Sequence, residues 1–363
     1  MWAMPFTTHR IIAFFALAAC LSVSLAASAQ WQMQDSHSTA SLRGIHAVSE
    51  SVAWATGTDG TVLRTQDGGA HWQRCVTPAS AEKLDFRGVW AWSADEAQVL
   101  SSGPGDQSRV YKTSDGCTHW TEEHRNGDKD GFWDALVFQA QDFGLFGDGH
   151  TGVLVGDPVN GRFATFGMIL GNGWYIDEKS CGARDGEAGF AASNSMLFVF
   201  GSRHYILATG GKGGPRVLLS PLLAYNDAGN ECLAVSVPIA GGTESSGAFS
   251  VAFRDPKHGV VVGGDYKKPD DATRTAAWTS DGGRHWTAAG KPPHGYRSAV
   301  AWYAEAKVWI AVGTNGSDIS RDDGKTWQHL DDGKWNAVSS PFAVGPGGRI
   351  GRLQLDSLKP KAR

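Results

Sequence analysis

The chain has 363 residues and is poor in the features that mark many functional classes. Little of it reads as amphipathic helix, so its core has to come from short strands joined by tight turns. There is no basic excess: 33 Lys and Arg face 37 Asp and Glu, which argues against bulk nucleic-acid binding. Only five cysteines occur, and no pair has zinc-ligand spacing, so neither a metal nor another cofactor is expected. The glycine runs Gly210-Gly-Lys212-Gly-Gly214 and Gly345-Pro-Gly-Gly348 lack phosphate-loop spacing and a following helix, and read as hairpin turns. No linker is long enough to divide the chain.

One apolar run stands out, Ile11 to Leu25, preceded by Arg10 and followed by Ala27-Ser-Ala29 before Gln30. That order predicts a signal peptide over 1–29 and an exported protein, periplasmic or extracellular. The run is short for a bilayer, which weighs against a retained anchor. Leu17-Ala-Ala-Cys20 offers lipoprotein processing at Cys20 as an alternative, although the apolar run continues past it. Cleavage removes one basic residue and leaves a net charge of −5 with four cysteines. An even count in an exported chain permits disulfides. Of three connectivities, Cys75–Cys117 with Cys181–Cys232 is favoured, each bridge tying the outer edge of one sheet to the next.

What the sequence has in quantity is glycine, 47 residues, and tryptophan, 15. It also repeats one short turn. Thr65-Gln-Asp67-Gly-Gly69-Ala-His-Trp72, Thr113-Ser-Asp115-Gly-Cys117-Thr-His-Trp120, Thr279-Ser-Asp281-Gly-Gly283-Arg-His-Trp286 and Ser320-Arg-Asp322-Asp-Gly324-Lys-Thr-Trp327 share the frame Ser/Thr-x-Asp-x-Gly-x-x-Trp. The aspartate suits capping of downstream backbone N–H groups, and the glycine a conformation that a Cβ resists. The tryptophan supplies a large ring to pack between neighbouring sheets. Repetition at about 40–50 residues means a propeller or solenoid. Blade starts can be read near Arg43, Arg87, Trp133, Glu187, Gly247, Tyr296 and Trp335. The expectation is an all-β, seven-bladed propeller over 30–356 with a short exposed tail, 357–363. Blade seven has only three strands of its own, so Trp31-Gln-Met-Gln34 is expected to close the ring as its outer strand.

Function is less legible. Loops joining the second and third strands share a face with the blade-to-blade connections, and ligands usually meet that face. Arg109, Arg162, Arg216, Arg274 and Arg349 fall in or near the first kind of loop, and Arg43, Arg87 and Arg297 at blade starts. Such a set suits a carboxylate-bearing or other anionic partner; the competing reading is local pairing with acids such as Asp157 and Asp265. Glu187, Glu244 and Asp134 lie near blade starts and are candidates for a glycosidase pair. His71, His119 and His285 are too dispersed for a metal cluster.

The repeated turn is the Asp box, or BNR repeat, of sialidases and related propellers. That resemblance places it between third and fourth strands, away from the ligand-binding face. With the export signal, and with Gly152-Val-Leu-Val-Gly-Asp-Pro-Val-Asn-Gly161, the chain resembles the photosystem II stability/assembly factor family. The resemblance implies a non-catalytic assembly factor that binds a protein or membrane-protein complex through an arginine-bearing face. Alternatives are a sialidase-like glycoside hydrolase, although the Arg-Ile-Pro element of sialidases is absent, or a propeller binding an anionic glycan without turnover.

Overall fold

The computed structural model describes residues 30–139, 151–168, 173–200, 204–220, 232–354 and Leu358. The proposed leader, Cys20 and most of the tail lie outside them. The chain forms a seven-bladed propeller of antiparallel sheets. Blade one runs outward through Leu42–Ala47, Ala53–Gly57, Thr61–Thr65 and Gln73–Arg74. Blade two follows as Phe86–Ala91, Ala97–Ser101, Arg109–Thr113 and Thr121–Arg125, and blade three as Trp133–Phe138, Gly152–Val159, Arg162–Met168 and Trp174–Ile176. Blades five and six begin at Ser246–Phe253 and Ala299–Tyr303.

The sequence spaces its hydrophobes for burial between sheets. Each of seven apolar clusters draws on two adjacent blades, so the molecule has a ring of interfaces in place of one central core. Second strands such as Ala53–Gly57 and Ala97–Ser101 are buried at every position, because a neighbouring sheet covers each face. Outer strands such as Thr121–Arg125 are largely exposed and charged, which discourages edge pairing. Each fully buried large side chain, Trp54, Trp133 and Trp309 among them, contributes about 1.5–3 kcal/mol or more.

Ring closure is as expected. Trp31–Gln34 pairs antiparallel with Ile350–Leu353, completing blade seven. Trp31 is buried, lies 5.0 Å from the Trp335 ring and donates its Nε1–H to Ser317 Oγ of blade six at 3.1 Å. Gln34 reaches the first Asp box, accepting from Trp72 Nε1 at 2.9 Å and donating to the Gly68 carbonyl at 3.0 Å. Both expected disulfides form, Cys75–Cys117 between blades one and two and Cys181–Cys232 between blades three and four. In the tail, Leu358 is buried between blades six and seven.

Blade four departs from the sequence reading. Its inner strand is Leu197–Phe200, followed by His204–Ala208, Arg216–Leu219 and Leu233–Ser236. Glu187–Ala188 instead pairs with Gly210–Gly211, which adjoins blade five through Gly210 and Gly247. That contact needs glycine: a Cβ on Gly210 would lie 2.8 Å from the Ser246 carbonyl oxygen. Residues 190–195 then lie across the propeller axis. Phe190 stacks on Phe249 of blade five at 3.9 Å, and Ser193 Oγ donates to the Ser298 carbonyl, next to blade six, at 2.9 Å. Asn194 bridges to blade three, accepting from Leu136 N at 2.7 Å and donating to Leu136 O at 2.8 Å. Asn194 sits at φ +66°, a conformation asparagine tolerates better than most residues.

Candidate functional site

The Asp boxes work as turn clamps. In the first, Thr65 Oγ1 donates to Asp67 Oδ1 at 2.9 Å and accepts from Gly69 N at 2.9 Å, while Asp67 Oδ1 accepts from His71 N at 2.9 Å. The same bonds recur around Asp115, Asp281 and Asp322. His71, His119 and His285 each pair with their own box aspartate at 2.5–2.7 Å. The backbone N–H and then the ring of that histidine hold the Asp67 and Asp115 carboxyls down at about 2. Trp72 and Trp327 are buried, and Trp120 and Trp286 are partly so; all four pack into inter-blade clusters. These residues close turns between third and fourth strands.

The arginines divide into two groups. Arg216 and Arg297 are buried and consumed internally. Arg216 pairs with Glu187, whose side chain is fully buried and also accepts from Thr209 Oγ1 at 2.5 Å. Arg297 pairs with Asp318 and donates to Asn315 Oδ1 at 2.7 Å. Their expected place on a contact surface is corrected, because a buried guanidinium is held where a carboxylate answers it. Arg43 and Arg87 share Asp85 at 3.5 and 2.8 Å, and Arg87 also donates to the Ala191 carbonyl at 3.3 Å. Arg109 faces Asp106 and Glu122 at 3.5 and 3.8 Å. Arg162 bonds the Ser180 carbonyl, Arg274 is exposed, and Arg349 lies 5.2 Å over the Trp335 ring.

The three candidate carboxylates have three different settings. Glu187 is sealed against Arg216, and Glu244 is exposed and pairs with Lys212 at 2.8 Å. Asp134 is buried, and desolvation, with Asp157 alongside, holds its carboxyl well above the usual range. Glu187 is thereby removed as an acid or nucleophile, since nothing outside the fold can reach it.

A groove that sequence reasoning missed lies between blades two and three, with a volume of about 770 Å³. Its walls come from the outer strand of blade two, the connection 126–131 and the second hairpin of blade three. His124 stacks on Trp133 at 4.9 Å and meets Phe166 edge-on at 5.1 Å, with Trp174 beyond at 6.3 Å. Burial pushes the His124 imidazole down, so its ring is neutral. Asn126 Nδ2, Trp174 Nε1 and His124 Nε2 are buried without a hydrogen-bond partner, and all three residues line the groove. Unanswered buried polar groups are costly and uncommon, and two N–H donors beside an imidazole nitrogen in an aromatic groove suit a ligand with hydrogen-bonding groups of its own. Arg162, named for the surface set, lines the groove, as does Arg125. The signal in the sequence was an absence: blade three lacks a recognisable box, and Trp174 stands free of one.

No family model matches the chain, and no curated protein matches it. Solved propellers do. The structure of YCF48 bound to D1 peptide is similar at 16% identity and a TM-score of 0.58, covering 89% of this chain and 96% of that one. The WD40 β-propeller domain of Doa1 is similar at 12% identity and 0.57, over 90% and 99%. YCF48 from Cyanidioschyzon merolae is similar at 15% and 0.44, over 90% and 100%. The likenesses to YCF48 bound to D1 peptide and to Doa1 show the propeller fold.

Proposed function

We propose that this chain is an exported, non-catalytic binding propeller of assembly-factor type, which seats a segment of a protein or membrane-protein partner in the groove between blades two and three. The observation that carries the reading is the set of unanswered polar groups from Asn126, Trp174 and His124 within an aromatic wall. An extended peptide supplies both complements, backbone carbonyls for the N–H donors and a side chain for the rings. The solvent-reaching arginines, Arg43, Arg87, Arg109, Arg162, Arg274 and Arg349, supply attraction to acidic flanks that salt screens. A propeller of the same fold, YCF48, binds D1 peptide. The two disulfides point to an oxidising compartment, in keeping with the proposed leader and with export.

The stacked rings also favour a second reading, a sugar-binding or glycoside-cleaving groove. Glu187 and Asp134 are both buried and neither lines the groove, so that chemistry would fall to a carboxylate that does, such as Asp177. The test sets a library of linear acidic–aromatic peptides beside a glycan array and a panel of fluorogenic glycosides. Peptide binding that weakens with salt and on Asn126→Ala supports the proposal. Failure of every peptide to bind, or turnover of a glycoside by the purified protein, overturns it.

A further inference from the structure

Three side chains from separate stretches converge at the rim of blade six. His294 lies in the connection into the blade, Asp318 on Gly316–Ser320, and His329 on Gln328–Asp331, where it is the cross-strand partner of Asp318. One ligand atom from each lies within 4.8 Å of the others. His294 Nδ1 is 3.0 Å from Asp318 Oδ1 and 3.0 Å from His329 Nδ1. Donors about 2.1 Å from a shared ion stand about 3–3.5 Å apart, so this spacing already fits a coordination edge.

The far nitrogens decide the matter. His294 Nε2 faces the Asn315 carbonyl at 3.0 Å, and His329 Nε2 faces Asp332 Oδ1 at 3.1 Å. Carbonyls and carboxylates only accept, so in neutral rings the outer nitrogens carry the protons and both Nδ1 lone pairs turn toward one point. Ligand histidines are oriented by outer partners of this kind. Two lone pairs at that distance repel unless a cation lies between them. Arg297 holds Asp318 Oδ2, with its Nε at 2.8 Å; His294 Nδ1 is 3.0 Å from both carboxylate oxygens, of which Oδ1 has no bond from the arginine. Its Nη2 is 2.7 Å from His294 Nδ1 and competes for that lone pair, yet no arginine bond answers His329.

The geometry points to a divalent transition-metal site formed by His294 Nδ1, His329 Nδ1 and Asp318 Oδ1. Two imidazoles and one carboxylate select zinc, copper or nickel over calcium or magnesium. The nearby guanidinium charge makes the site weaker than a structural zinc site. Both histidine side chains are partly exposed, 32% and 45%, which leaves further positions open to water or to a partner's side chain. The expectation of no metal came from cysteine spacing, and this set has no local motif to betray it. The site is independent of the groove.

Titration of the purified, untagged protein with zinc chloride, followed by calorimetry, tests the site. One ion per chain is expected, with affinity falling at least about 10-fold in His329→Gln and by a smaller factor in Asp332→Asn. Both changes lie at solvent-reaching side chains, so zinc-free melts of these variants should match the unaltered protein. Equal zinc affinity in His329→Gln, or no stoichiometric binding by the unaltered protein, overturns the site and leaves a shared proton as the only bridge.

Discussion

Blades one and two meet in a different way from blades two and three. The first interface is closed by Cys75–Cys117 and by Trp120, whose Nε1 donates to the Val76 carbonyl at 2.8 Å. On its inner side His46 lies 4.2 Å from Trp90 and accepts from Ala91 N at 3.2 Å. The second interface has an aromatic cluster of similar kind but no bridge and no box from blade three, and it opens into the groove. At the first of these seams the box of blade two is intact and a bridge ties it; at the second the box of blade three is eroded and a recess opens. The tie and the recess fall at different seams of one ring.

The largest test of this contrast acts on another closed seam. Deleting residues 30–40 removes the Trp31 strand, and loss of that tryptophan alone should cost about 3–5 kcal/mol. A thermal melt unchanged by the deletion would break the account of closure. Next, Cys75→Ser with Cys117→Ser opens a loop with a sequence separation of 42 and should cost about 4 kcal/mol in denaturant titration, with peptide binding in the groove unaltered.

The tied seam also has a pH liability. Burial pushes the His46 imidazole down to about 4 from an ordinary 6.5, so the folded state resists its protonation. The stabilisation is complete above pH 6.5 and is lost as pH falls toward 4, by up to about 3 kcal/mol. Melts of His46→Gln should be flatter across that window. The box carboxyls act lower: Asp67 and Asp115, held at about 2, contribute above the usual carboxylate range and lose their contribution as pH falls toward 2. The smallest effect belongs to the open seam. Trp174→Phe keeps a ring and deletes one N–H, so peptide affinity should fall by about 1 kcal/mol, near five-fold, with little change in melting temperature. Equal affinity would remove Trp174 from the ligand's contacts.

Local chemistry explains what could be read in the sequence. The boxes were legible because their residues are close in sequence, the closing strand at Trp31 from the count of strands, and the cysteine pairs because each spans about one blade, with separations of 42 and 51. Blade four was misread because Glu187-Ala-Gly-Phe190 resembles the other blade starts, whereas the true inner strand at Leu197 has no turn residue of that pattern before it. The arginines were legible as a set but not by partner: Arg216 and Arg297 look like their neighbours until Glu187 and Asp318 are found beside them. Asn126, His124 and Trp174 come together only through the packing of two blades, which no spacing along the chain encodes.

Because the Trp31 strand completes a sheet whose other members occupy 337–353, the first described strand waits for the last. Nearly the whole propeller must be present before the circle locks. Such distant pairing slows folding and leaves a bare β-edge during maturation. A helper that shields that edge, or a pause that delays the C-terminal third, should alter yield far more than it alters the finished molecule.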